Sequence, residues 1–279
     1  MDNVKQAIDQ LPPLRQLTQD SQLYAKKSLG QNFLFDLNLT GKIAQYAGHN
    51  VKTIIEVGPG PGGLTRALLT DTEADVIAIE KDRRAIHFLD HLVLAADGRL
   101  SLIEADALKA PLWEMGDAPR SIVANLPYNI ATTLLLGWLS HIDAFESFTL
   151  MFQKEVAERI CAQPSTPAYG RLSIISQWLA ETDILFDIPP EAFVPSPKVT
   201  SSVVQLIPRP APLYPCDKAT LEKVTAQAFS QRRKMMRASF KSYGGAAMLE
   251  AIDIDPSMRP QDLDISAFCR LANALEGQF

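Results

Sequence analysis

Asn125-Leu126-Pro127-Tyr128 follow a short β-rich run, Ser121-Ile122-Val123-Ala124, and precede a long apolar stretch. Their types suit a grip on a flat exocyclic amine. An amino group on an aromatic ring is a poor nucleophile because its lone pair is shared with the ring, so two acceptors on its two hydrogens are needed to free that pair. The Asn125 side-chain oxygen and the Leu126 backbone carbonyl offer both. Pro127 aims the second, because a residue before proline is pushed to extended geometry and proline has no N–H to compete for acceptors. Tyr128 supplies a face on which a base can stack, worth roughly 1–3 kcal/mol. The same four residues also suit a plain strand end whose Asn and Pro make a turn.

Such a grip needs a scaffold. With 279 residues and 47% hydrophobic content, the chain can bury one large core and a small second one. The start shows no apolar run behind a basic one, and no stretch reaches the roughly 18 apolar residues of a membrane span. A cytoplasmic protein with no membrane partner is expected. Cys161, Cys216 and Cys269 are scattered, which suits neither zinc nor a disulfide framework. His87 and His91 share a helical face without the acidic partner of a metalloprotease, so no metal is expected. The net charge of −5 is awkward for a nucleic-acid partner, because phosphate calls for a basic surface.

Residues 1–23 read as a short helix or loose leader around Pro12-Pro13. Lys26-Lys27-Ser28-Leu29-Gly30-Gln31-Asn32-Phe33-Leu34 then brings cations, amides and large apolar side chains before an amphipathic helix from about Leu37 to His49, capped by Asp36 or Asn38. Thr53-Ile54-Ile55-Glu56-Val57 is a buried-strand signature running into Gly58-Pro59-Gly60-Pro61-Gly62-Gly63, with a helix beginning near Leu64. Strand, glycine turn and helix form a nucleotide-binding unit in which the backbone is open to a cofactor and the helix N-terminus offers unpaired N–H groups. Gly58, Gly60 and Gly63 fit the dinucleotide spacing, so a nicotinamide dehydrogenase is one reading.

A second strand, Val76-Ile77-Ala78-Ile79-Glu80, ends in a carboxylate about twenty residues on, where an acid can accept from both hydroxyls of a ribose. A third, Leu100-Ser101-Leu102-Ile103-Glu104, leads into Asp106. Gly58, Glu80, Asp106 and Asn125 thus fall at four successive strand ends, and ligands of open parallel sheets sit outside those ends. No residue declares itself as the acid or base of a hydride transfer. An amine held by two acceptors needs an electrophile instead, and S-adenosylmethionine supplies one.

Seven segments in order carry a resemblance. They are Lys27–Leu34; Glu56–Gly63 with Glu80; Glu104–Leu108; Asn125–Tyr128; Phe152-Gln153-Lys154-Glu155-Val156-Ala157; Tyr169-Gly170-Arg171-Leu172-Ser173; and Phe193-Val194-Pro195-Ser196-Pro197-Lys198-Val199. Together, over roughly residues 24–275, they resemble the ribosomal RNA adenine dimethyltransferases. The resemblance implies an α/β fold: a Rossmann-like seven-stranded methyltransferase sheet with helices on both faces, plus a small C-terminal α-helical domain. Its implied divisions are a leader at 1–23, the methyltransferase domain at 24–208 and a helical RNA-contacting domain at 209–279. Asn32 and Leu34 would line the cofactor pocket, Gly58 would approach the methionine part, Glu80 would hold the ribose, Asp106 would meet the adenine amine, and Asn125 would sit between cofactor and target base. The family dimethylates two adjacent adenosines near the 3′ end of small-subunit ribosomal RNA, so a pre-assembled small subunit is the implied partner and a monomer the expected state.

The remaining text adds surface. Phe145–Phe152 reads as a fifth strand, and Thr182–Ile188 with Ser201–Ile207 as a closing antiparallel hairpin joined by a stiff connector. Phe193 there could stack on an unstacked base and Lys198 could meet a phosphate; buried aromatic and solvated lysine is the plain reading. Tyr169-Gly170-Arg171 suits either an RNA contact or a helix-entry turn. Four prolines, Pro208, Pro210, Pro212 and Pro215, mark a boundary. Beyond it Asp217 can cap a helix that runs to about Ser242 or breaks in two, and a last helix spans about Ile265 to Leu275. Arg232, Arg233, Lys234, Arg237 and Lys241 stand together without an acid. With Phe229, Met236 and Phe240 on one helical face, Arg233, Arg237 and Lys241 would form a flank for phosphate, which Lys26 and Lys27 could extend. Three other readings remain open: a macrolide-resistance type enzyme acting on large-subunit RNA, a non-enzymatic ribosome-assembly factor, and the dehydrogenase.

Overall fold

The computed structural model describes residues 2–20, 23, 25, 30–48 and 50–278. It divides into two compact units, one of Met1–Ala157 with Asp183–Pro208 and one of Glu158–Thr182 with Arg209–Phe279.

Among the described residues nine strands form: β1 (Phe33–Leu34), β2 (Thr53–Val57), β3 (Asp75–Glu80), β4 (Leu100–Glu104), β5 (Arg120–Asn125), β6 (Ser147–Gln153), β7 (Ala180–Ile188), β8 (Phe193–Val194) and β9 (Ser201–Pro208). Seven of them make one sheet in the order β4-β3-β2-β5-β6-β9-β7. The pairs among β4, β3, β2, β5 and β6 are parallel, and β9 runs antiparallel to β6. All five residues of β2 are buried, as a central strand covered on both faces by helices requires. This is the Rossmann-like, seven-stranded sheet that the resemblance implies.

Strand order reverses between β2 and β5. From β2 the chain steps outward to β3 and β4, then returns to the other side of β2 and continues to β6. At such a switch the loops leaving two neighbouring strands diverge and open a crevice at their carboxyl ends. The register that sets Glu56 opposite Val123 brings the ends of β2 and β5 side by side there.

The helices that hold this sheet start where their caps dictate. Asp36 accepts from the amides of Asn38 and Leu39 at 2.9 and 3.2 Å and opens the helix Leu37–Ala44, which is shorter than the sequence suggests. Asp82 caps Arg83–Ala95. The N-terminal stretch forms two helices, Asp2–Asp9 and Leu14–Asp20, and Val4 and Ile8 join Leu68, Leu89 and Leu92 in the main core. Arg66, buried in the helix Gly63–Asp71, donates from Nη1 to the Pro12 carbonyl at 3.1 Å and ties this stretch down. No helix among the described residues is long and apolar enough to cross a membrane.

In the second unit Asp217 caps Lys218–Ser230 by accepting from the Thr220 amide at 2.7 Å, and the last helix spans Ile265–Ala274. The single helical face expected for Phe229, Met236 and Phe240 does not form. The helix ends at Ser230, and the short helix Met236–Ser239 begins afresh. Its first amides are taken by distant carbonyls, Met236 by Met258 at 2.8 Å and Arg237 by Pro256 at 3.1 Å, so the chain cannot continue its earlier i to i−4 ladder. Tyr169 is buried against Phe229 and Gly170 caps Arg171–Leu179. Tyr169 is therefore part of a helix entry rather than an RNA contact.

Gly63, where the glycine loop enters its helix, is closely packed. A Cβ on Gly63 would lie 2.5 Å from the Leu34 carbonyl oxygen, which is backbone and cannot swing aside, whereas one on Gly137 would meet nothing within 4 Å. Gly63→Ala should lose about 1–3 kcal/mol of stability, the cost of overpacking. Gly137→Ala, inside the helix Ala131–Trp138, should gain about 0.5–1 kcal/mol from helix propensity. Urea unfolding of the two variants against the parent measures both.

Candidate active site

A cavity of about 260 Å³ opens at the switch between β2 and β5. Its walls are the segment Gly30–Leu34, the glycine loop, and the loops after β3, β4 and β5. Asn32, Leu34, Gly58, Glu80, Asp106 and Asn125, the six positions the sequence singles out for a cofactor, all line it. So do Leu126 and Pro127; Tyr128 is not among the lining residues.

Gly58 has φ +72°, and a Cβ there would meet nothing within 4 Å. The loop therefore leaves free space at the cavity floor that any side chain would enter. Glu80 stands at the end of β3 with its Oε1 accepting from the amides of Lys81 at 2.7 Å and Asp82 at 2.8 Å. Burial pushes its carboxyl up, and amides from Asp82, Lys81 and Gly60 pull it back. Those backbone donors fix the carboxylate in one orientation. Asp106 accepts from Lys81 Nζ at 2.7 Å and from the Leu108 amide at 3.1 Å. Lys81 first, then that amide, holds it below the usual carboxylate range, so it stays an acceptor.

Asn125 is held across 93 positions of sequence: its Nδ2 donates to the Asn32 carbonyl at 3.0 Å. An amide has one donating and one accepting end. With the nitrogen committed, the oxygen is the end left to accept. Asn32 precedes β1, and β1 pairs antiparallel with β8, Phe33 to Val194 and Leu34 to Phe193. This two-residue ribbon anchors the carbonyl that orients Asn125. Tyr128 shares a 2.6 Å hydrogen bond between its hydroxyl and Ser201 Oγ, and burial raises its phenol.

Glu56 is the residue that sequence reading passed over as part of a buried strand. It lines the cavity, is 1% exposed, and its Oε2 has no hydrogen-bond partner. The available signal was a carboxylate inside an apolar run. Asn129 was missed as well; its Oδ1 closes against Gly30, where an added Cβ would come within 2.8 Å.

The candidate RNA contacts fare differently. Phe193 is 2% exposed and part of the core, so its proposed role as a stacking face is corrected: pairing with Leu34 in the ribbon turns Phe193 inward and leaves Val194, at 42%, outward. Lys198 is exposed. Arg232 is half-buried and engaged, donating to the Pro167 carbonyl at 2.5 Å and to Gln261 at 3.2 Å. Arg233, Lys234, Arg237 and Lys241 are exposed, although not along the single helical face expected for them, since the helix breaks after Ser230. Lys26 and Lys27 lie outside the described residues.

The site fits an S-adenosylmethionine-type group: an open glycine floor, an orphaned carboxyl oxygen for a cation, and an oriented carboxylate for hydroxyls. Known proteins agree with this assignment. Residues 22–276 match the family described as ribosomal RNA adenine dimethylase. The chain is 54% identical over 270 residues to "Ribosomal RNA small subunit methyltransferase A" of Rhodospirillum rubrum, covering 96% of this chain and 94% of that protein. It is 55% identical to the protein of the same name from Paramagnetospirillum magneticum, with 96% of each covered. Among solved structures, a dimethyladenosine transferase from Plasmodium falciparum superposes with a TM-score of 0.74 at 26% identity, over 88% of this chain and 97% of that one. The 23S rRNA methyltransferase ErmE does so with a TM-score of 0.67 at 25% identity, over 88% and 100%. The chain belongs to the ribosomal RNA adenine dimethylase family.

Proposed function

We propose that this protein dimethylates the 6-amino groups of two adjacent adenosines in the 3′-terminal hairpin of small-subunit ribosomal RNA, using S-adenosylmethionine and no metal. The observation that carries the reading is the Asn125 amide, pinned by the Asn32 carbonyl at the rim of the glycine-floored cavity. When bound there, S-adenosylmethionine supplies an electrophilic sulfonium methyl. Gly58 leaves room for its methionine part, Glu80 accepts from the ribose, and Asp106 accepts from the adenine amine.

Asn125 and Leu126 do the work on the target. The base leaves its stack to reach the site, as is usual for chemistry on a base. Asn125 Oδ1 and the Leu126 carbonyl accept the two amine hydrogens, which withdraws the lone pair from the ring and points it toward the methyl donor. Tyr128, fixed by Ser201, offers the ring face. No strong base is required: the residues position the amine and stabilise the charge it develops. Once methylated, the nitrogen sheds one proton to water and keeps one hydrogen to donate, so a second round needs only space for the first methyl.

The choice of small-subunit RNA rests on relatives at 54–55% identity over nearly their whole length. The likeness to a 23S rRNA enzyme is at 25% identity, and mapping which RNA acquires the mark separates the two. The same reading places the protein in the cytoplasm as a monomer acting on a pre-assembled small subunit, with Lys198, Arg233, Lys234, Arg237 and Lys241 meeting phosphate.

Unmodified small subunits incubated with labelled S-adenosylmethionine and digested to nucleosides should yield dimethyladenosine. Asn125→Ala should cut the single-turnover rate by about 10²–10³-fold, the scale of losing one preorganised polar contact to a transition state, while subunit retention stays near the parent's. Gly58→Ala forces a left-handed backbone at a cost of about 1–2 kcal/mol and fills the floor. Its cofactor Kd by calorimetry should weaken by more than tenfold while urea unfolding changes by no more than that strain. Replacing Arg233, Arg237 and Lys241 by Ala should leave cofactor Kd unchanged. It should lower the slope of log binding against log salt by about one per cation that meets a phosphate, read from subunit binding across a salt series.

A further inference from the structure

Cys216 and Cys269 stand far apart in the sequence, and no spacing between them announces a pair. The fold of the second unit nevertheless joins them: the Cys269 thiol donates a hydrogen bond to the Cys216 sulfur. Cys216 lies half-buried just ahead of the helix Lys218–Ser230, within reach of a small reagent. Cys269 is 2% exposed on the last helix, Ile265–Ala274.

The backbone on either side of Cys216 is tied down. Leu213 donates its amide to the Trp178 carbonyl at 2.8 Å, and Trp178 Nε1 donates to the Tyr214 carbonyl at 2.7 Å. Asn273, one turn beyond Cys269, donates from Nδ2 to the Pro215 carbonyl at 3.0 Å. Asp217 then accepts the Thr220 amide at 2.7 Å and starts the next helix. Cys216 is therefore held between fixed neighbours, one of them bound to the very helix that carries Cys269. Two cysteines can be bridged without moving backbone only where their side chains already point at each other. These two do, and the surrounding hydrogen bonds keep them so.

We propose that Cys216 and Cys269 are a modification site, a dithiol that a peroxide converts to a disulfide and a small thiol reduces again. The bond would staple the chain ahead of Lys218–Ser230 to the last helix, closing a loop that contains the exposed cations Arg233, Lys234, Arg237 and Lys241. It is independent of the methyltransferase reading. In a reducing compartment a bond of this kind is transient and responds to oxidant rather than being a permanent part of the fold.

The pair also has an order. The bond from Cys269 holds the Cys216 thiol below its ordinary range, against burial and the charge of Asp217. That same bond first, then burial, Cys216 and Asp264, pushes the Cys269 thiol up. Cys216 thus supplies the thiolate, which is the nucleophile. Its sulfur attacks one peroxide oxygen, the O–O bond breaks, hydroxide leaves, and a sulfenic acid remains. The Cys269 sulfur attacks that sulfenic sulfur, the S–O bond breaks, and the oxygen leaves as water with the Cys269 proton. The proton that Cys216 lost neutralises the hydroxide. Two thiols and one peroxide become one disulfide and two waters, the sulfurs being oxidised and the peroxide reduced.

The whole protein, reduced, freed of thiol and treated with hydrogen peroxide in native buffer, is alkylated and digested without reductant for mass spectrometry. The expected product is one peptide pair joined through Cys216 and Cys269, lighter by about 2 Da than its reduced halves together. Dithiothreitol should abolish it, and Cys161 should lie outside it. The linked protein should unfold at a higher urea concentration than the reduced one, because the closed loop restricts the unfolded chain. Cys269→Ala should stop at a sulfenic acid on Cys216 that dimedone captures, and Cys216→Ala should leave Cys269 reduced at the same peroxide dose. No link in the parent, a link that forms only in urea, or linkage to Cys161 as readily as between the pair overturns the inference. So does a urea midpoint that fails to rise, or oxidation of Cys269 in Cys216→Ala at the parent's rate. The parent's peptide map decides the matter even if either variant fails to fold.

Discussion

A carboxamide can present either its oxygen or its nitrogen, and the two ends do opposite chemistry. The 3.0 Å bond from Asn125 Nδ2 to the Asn32 carbonyl resolves that choice before any substrate arrives. With one amide hydrogen bonded to the protein and the group's orientation so fixed, the oxygen is the end available to accept a hydrogen from an amine. The reverse orientation would present a donor to a donor and leave the lone pair in the ring. Preorganisation of this kind avoids the reorientation that a freely turning side chain would need at the moment of reaction.

Much of the first unit supports that one bond. The sheet places β5 beside β2 at its switch point, so Asn125 emerges next to the glycine loop. The ribbon of β1 and β8 fixes the chain on the other side, where Asn32 supplies its carbonyl. Phe193 contributes through burial in this ribbon rather than through contact with a base. Gly63 lets the backbone of Leu34 come close, which draws the same segment against the helix that follows the glycine loop. Glu80, at the cavity wall, is held in one orientation by the amides of Lys81 and Asp82.

The sequence was informative where chemistry and periodicity coincide. Short β-branched runs ending in Gly58, Glu80, Asp106 and Asn125 disclosed four parallel strands and their shared edge, and the cavity is lined by all four residues. It was uninformative where a contact depends on chain segments far apart. Nothing local in Phe33-Leu34 or Phe193-Val194 announces a strand, because two residues are too few to show alternation. The bond between Asn32 and Asn125 spans 93 positions. The break after Ser230 carries neither glycine nor proline; it is imposed by the carbonyls of Pro256 and Met258. Glu56 was visible but was read by its neighbours, four apolar or β-branched residues, rather than by its own charge.

The orientation of the Asn125 side chain is open to direct observation by heteronuclear NMR on protein labelled with ¹³C and ¹⁵N. The account predicts a through-hydrogen-bond coupling from Asn125 Nδ2 to the Asn32 carbonyl carbon. It also predicts two inequivalent amide protons, of which one exchanges slowly with solvent. Two rapidly exchanging protons with no such coupling would mean that the amide turns freely, and the oxygen's readiness for the amine, on which the mechanism stands, would be lost.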